Sequence, residues 1–204
     1  NPKQADAGDR CVRALTELGL HGICLFPAMH RYSIDSQEAD RVFELAAKHG
    51  AKSVFVHTGV LSVGIRKKLG LPSYFDIRLG DPLALVPIAS AYPNLTFVIP
   101  HFAAGFMREG FMAADLCSNI IFDTSSSNGW IKYDPGLTLT DVFRQALSVV
   151  GPSRMMFGTD SSFFPRGWQQ SIFEQQRAVL QKLHVEDETL HEIFAGTFER
   201  IYGS

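Results

Sequence analysis

Short uninterrupted apolar runs alternate along this chain with longer stretches whose apolar residues recur at helical spacing. The runs fall at 22–26, 53–56, 95–99, 119–122 and 154–158. Runs of this length without internal alternation predict strands buried on both faces, as in a parallel sheet covered by helices. Between them, 5–18 carries Val12, Leu15 and Leu18 on one helical face and stops at Gly19. Segment 36–49 opens on Ser36, a helix N-cap residue, and buries Val42, Phe43, Leu45 and Ala46. Asp81 and Pro82 supply cap and first-turn chemistry for a helix to about residue 91. Further helices are predicted at 108–116 and 139–150, and two more within 169–202, joined near Glu186. The alternation predicts an α/β fold of repeated β-α units. No composition break interrupts it, so residues 1–204 are expected to form a single domain. The long connection at 57–80 is of the kind that usually carries function.

Metal-capable polar side chains recur just after the strands: His57, His101, Asp123 and Asp160. In a parallel α/β protein those positions converge on one face, where sites are built. One such histidine alone would be read as a hydrogen-bonded structural residue. Two histidines and two aspartates at equivalent positions are harder to assign to packing, and imidazole with carboxylate suits zinc and its divalent neighbours. Other chemistries lack their marks. Neither glycine-rich nucleotide motif nor GxSxG is present.

A formal net charge of −2 leaves no electrostatic footprint for nucleic acid or an anionic membrane, and Arg66-Lys67-Lys68 is a local basic cluster. Cys11, Cys24 and Cys117 form neither a zinc motif nor a disulfide framework, which suits a reducing cytoplasm. Cys24 is expected to be a small buried hydrophobe. No apolar run reaches the length of a membrane span and no signal peptide opens the chain. It begins at Asn1-Pro2 without methionine, which suggests sequence upstream.

The segments VFVHTG, FVIPHFAAG, IFDTSSSN and MMFGTDSSFFP resemble the later strands of amidohydrolase-related enzymes. This branch includes aminocarboxymuconate semialdehyde decarboxylase, aromatic acid decarboxylases, hydrolases and a dicarboxylate lactonase. GICLFPA matches the fourth-strand GxKLHP pattern imperfectly, and IFAGTFERIY resembles the closing helix with Thr197 where Asn is usual. The resemblance implies a (β/α)8 TIM-like barrel, incomplete here, comprising about strands 4–8 with their helices. About three β-α units, ~70–90 residues of a ~250-residue barrel, would then be absent, and with them the HxH pair of the first strand.

Carried over, His57 would be a metal ligand, Asp160 a ligand that also handles protons, and His101 the catalytic histidine or a further ligand. Asp123 has no firm family role and is expected to bond neighbouring loop backbone. Cys24 stands where binuclear relatives carry a carboxylated lysine, so one divalent ion is implied, zinc or manganese. The implied activity is metal-dependent hydrolysis of a small amide, ester or lactone. Asp160 would take a proton from metal-activated water and His101 would stabilise the oxyanion. One alternative is non-oxidative decarboxylation of an aromatic or unsaturated acid; another is a catalytically silent barrel serving as a scaffold. Arg66 and Arg166, on loops at the same face, are expected to clamp a substrate carboxylate. Phe26, Phe102, Phe163 and Phe164 are expected to wall the pocket. A small-molecule substrate is expected as partner, with no nucleic acid or membrane, and relatives point to a homodimer. His21, His30, His49, His184 and His191 match no motif; all are expected to be solvent-facing or structural, with His30 the exception if there is one.

Overall fold

Five parallel strands pair in chain order in the computed structural model: β1 (Gly22–Leu25), β2 (Ser53–Val56), β3 (Thr96–Ile99), β4 (Ile120–Asp123) and β5 (Met155–Met156). It describes residues 1–61, 64–126, 128–161 and 167–203, so the expectations for Phe163, Phe164 and Arg166 lie outside the described residues. Sequence neighbours are sheet neighbours throughout and the order never reverses. That is the winding of a barrel segment rather than of a doubly wound sheet.

The helices are α1 (Ala7–Thr16), α2 (Pro27–His30), α3 (Gln37–Lys48), α4 (Gly64–Lys68), α5 (Val86–Ala91), α6 (Met107–Leu116), α7 (Leu139–Val149), α8 (Gln170–Lys182), α9 (Asp187–His191) and α10 (Thr197–Tyr202). Ser36 caps α3 by accepting the Ala39 N–H at 3.3 Å, and Thr138 with Asp141 forms a reciprocal capping box on α7. The helix expected at 81–91 is divided. Asp81 accepts the Leu83 N–H at 2.9 Å, but a 3-10 turn at Pro82–Leu85 precedes α5. Pro87 has no N–H for the Leu83 carbonyl, which is bonded instead by Val86 one residue earlier. The strand expected at 154–158 is shortened to two residues. The Phe157 N–H donates to the Ile193 carbonyl at 3.0 Å, within the π-helical turn Glu192–Gly196 that joins α9 to α10.

The two sheet faces differ. One buries Val54, Val56, Phe97, Ile99, Ile120, Phe122 and Met155 against helix residues such as Phe43, Phe111, Phe143 and Leu180, making the main core. On the other, Cys24, Phe55, Val98 and Ile121 lie in register across β1 to β4. There Val98, Ile121 and Met156 pack with Phe55 and with Ile201 and Tyr202 of α10. The Tyr202 hydroxyl sits 2.5 Å from Ser53 Oγ, holding α10 at the strands' N-terminal end. Cys24 is exposed on this face, so the expectation of a buried cysteine is corrected. Among the described residues no helix is long and apolar enough to cross a membrane.

Candidate functional site

Beyond the C-terminal ends of the strands opens a cleft of about 1190 Å³, lined among others by Cys24, Phe26, His57, His101, Asp123, Ser125, Gly158 and Asp160. The four strand-end residues singled out by sequence thus share one space. His57 prolongs β2: its N–H donates to the Leu25 carbonyl at 2.9 Å, and its side chain continues the alternation that puts Phe55 on the cleft face. His101 arrives differently. Residues 101–104 all have positive φ (58°, 49°, 61° and 41°), a left-handed turn that costs roughly 1–2 kcal/mol per residue for non-glycines. This turn leaves His101 at the cleft and sends Phe102 into the core, where it stacks on Phe122 and meets Phe143 edge-on. Phe102 is therefore no pocket wall, contrary to the sequence expectation, and is fully buried.

Gly59 locks the two histidine-bearing loops together. Its φ is +72°, and any Cβ there would overlap the Ala103 carbonyl oxygen. Beside it the Val60 N–H donates to Ala104 O at 2.8 Å. The rings of His57 and His101 consequently meet edge to face at 5.3 Å, with Phe26 stacked on His57 at 5.9 Å.

Burial, reinforced by the neighbouring His101, pushes His57 down to about 4, so its imidazole is neutral near pH 7. Its Nδ1 is sealed from solvent without a hydrogen-bond partner. The cleft contact therefore belongs to Nε2. His101 is oriented by Ser125, whose Oγ and carbonyl oxygen lie 2.9 and 3.1 Å from Nδ1. A carbonyl only accepts, so both contacts are satisfied together when Nδ1 carries the proton. The lone pair of a neutral His101 is then on Nε2.

Asp123 behaves as expected of a residue bonding loop backbone: it accepts the Ser125 N–H at 2.7 Å. Burial pushes its carboxyl up, opposed by the hydrogen bonds from Ser125 and the nearby His101. Gly158 makes room for it, since a Cβ there would come within 2.8 Å of Asp123 Oδ2. Thr124, next along, exchanges two 2.7 Å hydrogen bonds with buried Gln176 and so ties the end of β4 to α8. Asp160 is exposed at the cleft and adopts φ +53°.

A divalent ion needs a neutral imidazole and an ionised carboxylate with lone pairs facing one space. His57 and Asp160 both border the cleft and carry donor types that such an ion takes. Among the described residues, no three His, Cys, Asp or Glu side chains group closely enough to hold an ion by themselves.

Arg66 is not among the described residues lining the cleft. Its guanidinium donates to the Pro72 carbonyl at 2.8 and 3.2 Å and lies 5.5 Å from the Tyr74 ring centroid. Among the described residues the cations that line the cleft are Lys68 and Lys132, the latter on the 3-10 turn Gly129–Tyr133 with Trp130 and Tyr133. Sequence reasoning missed these and Ser125; the serine run after Asp123 was the available signal. His30 is not among the described residues lining the cleft; it meets Phe26 edge-on at 6.2 Å and stacks with Tyr32 at 6.5 Å.

The sequence model of the amidohydrolase family matches residues 1–204. Protein fluG of Emericella nidulans is 26% identical over 113 residues, 54% of this chain and 13% of that protein. An uncharacterised TIM-barrel protein of Bordetella bronchiseptica superposes with a TM-score of 0.67 at 20% identity, over 93% of this chain and 59% of the other. A 5-carboxyvanillate decarboxylase of Novosphingobium aromaticivorans, complexed with manganese and 4-hydroxy-3-methoxy-5-nitrobenzoic acid, gives 0.65 at 16% identity, over 100% and 62%. At these identities the two structures speak to the fold alone. The five strands are a segment of such a barrel, and the chain spans less than two thirds of either structure's length.

Proposed function

The chain belongs to the amidohydrolase family, and from that premise we propose that residues 1–204 form one domain, the C-terminal part of a metal-dependent hydrolase barrel. Its substrate is a small amide, ester or lactone. One observation carries the reading: two imidazoles from different strand ends are held edge to face on a cleft that also holds Asp160.

His57 and Asp160 would hold one divalent ion together with further ligands, zinc or manganese being the ions that suit this donor set. When bound, such an ion supplies Lewis acidity at a carbonyl oxygen and acidifies water. The Asp160 carboxylate accepts the proton of the attacking water as the new carbon–oxygen bond forms, and returns it to the leaving nitrogen or oxygen as that bond breaks. His101 accepts a hydrogen bond from the water at Nε2 and so positions it. Its Nδ1–H tautomer favours this role over donating to an oxyanion. The substrate is taken from the cytoplasm, with no nucleic acid or membrane as partner.

Non-oxidative decarboxylation of an aromatic acid is the second reading. It is favoured by the aromatic wall of Phe26, Trp130 and Tyr133 together with the cleft lysines. The test is a product assay with protein expressed from the whole reading frame, after chelation and after readdition of zinc or manganese. Metal-restored cleavage of esters or lactones without carbon dioxide release supports the hydrolase. Metal-restored carbon dioxide release from aromatic acids supports the second reading, and no metal-restored turnover of either kind supports a silent barrel.

A further inference from the structure

Positive charge reaches the cleft from two separate connections. Lys68 ends α4, in the link from β2 to α5, and Lys132 lies on the turn between β4 and α7. Both are exposed, and among the described residues neither takes part in an ion pair. Among the described residues the acids that line the same cleft are Asp160, exposed, and Asp123, buried with its proton affinity raised. Lys132 is steadied by the Tyr133 ring, whose centroid is 5.1 Å from Nζ. Two residues before it, Trp130 is buried to 7% exposure, and its indole N–H has no partner.

We propose that Lys132, with Lys68 opposite it in chain origin, anchors a free carboxylate of the substrate against the Trp130 wall, and that Lys132 is the specificity-determining residue. The inference rests on the reading of this cleft as the substrate site, and it names the substrate's charge class. Ammonium groups on a low-dielectric wall focus potential for an anion and favour its entry. A carboxylate fits these side chains better than a phosphate does. Among the described lining residues there is no arginine fork, and no helix of eight residues or more presents its N-terminus there.

The test is calorimetric titration of the protein, expressed from its whole reading frame, with benzoate, benzamide and phenyl phosphate, using wild type, Lys132→Gln and Lys132→Arg. Benzoate is expected to bind wild type more tightly than benzamide. Lys132→Gln should weaken benzoate roughly fivefold, near the upper end for a solvent-accessible charge pair, and leave benzamide unchanged. Lys132→Arg should restore most of the loss. Equal binding of benzoate and benzamide, benzoate affinity unaffected by Lys132→Gln, or no benzoate binding would each overturn the proposal. Tighter phenyl phosphate than benzoate would overturn its carboxylate assignment. Metal content measured on the same samples separates the two claims: carboxylate discrimination in a protein without metal would sink the hydrolase reading and leave the anchor standing.

Discussion

The rings of His57 and His101 meet edge to face with centroids 5.3 Å apart and planes at 63°, although they follow different strands. Their closeness depends on Gly59, which passes under the left-handed turn that presents His101. Gly59→Ala would set a Cβ against the Ala103 carbonyl in a conformation that L side chains rarely adopt. It is expected to destabilise the fold by roughly 3 kcal/mol or more. Urea unfolding checks this, and a midpoint unchanged from wild type would show that the two loops are not locked as described.

His57 makes stability depend on pH. An unperturbed histidine titrates near 6.5, whereas burial and the adjacent His101 hold His57 down to about 4 in the fold. Between those values the unfolded chain binds a proton that the folded chain refuses. The contribution is fully present above pH 6.5, declines as pH falls, and is lost below about 4. The gap corresponds to about 3 kcal/mol. Asp123, whose folded affinity for protons is raised, works in the opposite direction. Comparison with His57→Phe therefore isolates the histidine. On protein stripped of divalent ions, denaturant unfolding at pH 7.5 and pH 4 should show wild type losing about 3 kcal/mol more than His57→Phe. Equal losses would contradict the buried neutral imidazole.

Asp123 serves mainly as an acceptor for the Ser125 N–H at 2.7 Å, and Ser125 in turn orients His101. Asp123→Asn retains an acceptor and removes a charge that burial disfavours, so stability should stay within about 1 kcal/mol of wild type. Asp123→Ala leaves a buried N–H unpaired and should cost about 2 kcal/mol. It should also lower kcat more than it raises KM, because His101 loses its orientation. Paired unfolding and steady-state measurements on both variants check this, and an alanine variant as stable as the asparagine one would remove the hydrogen bond from the account.

Two strand ends were legible because the apolar run stops abruptly at a polar residue, as Val56 does at His57 and Phe122 at Asp123. In a parallel sheet that placement brings His57 and Asp123 to the same end of the strands. What escaped depends on backbone departures that no periodicity encodes. The left-handed turn at 101–104 reverses the expected placement of Phe102. Pro87 divides a helix that cap residues had predicted as one. The exposure of Cys24 was hidden because an apolar run reports that a strand is buried, not which of its faces is covered. Lys132 reached the cleft on a 3-10 turn inside a polar stretch with no distinguishing pattern.

The most direct test of the central claim is divalent metal content by inductively coupled plasma mass spectrometry, on protein from the whole reading frame, with wild type and His57→Ala side by side. Roughly one zinc or manganese is expected per wild-type chain and little in the variant, if the neutral His57 imidazole is a ligand as proposed. Wild type without stoichiometric metal, or a variant retaining as much as wild type, would contradict it.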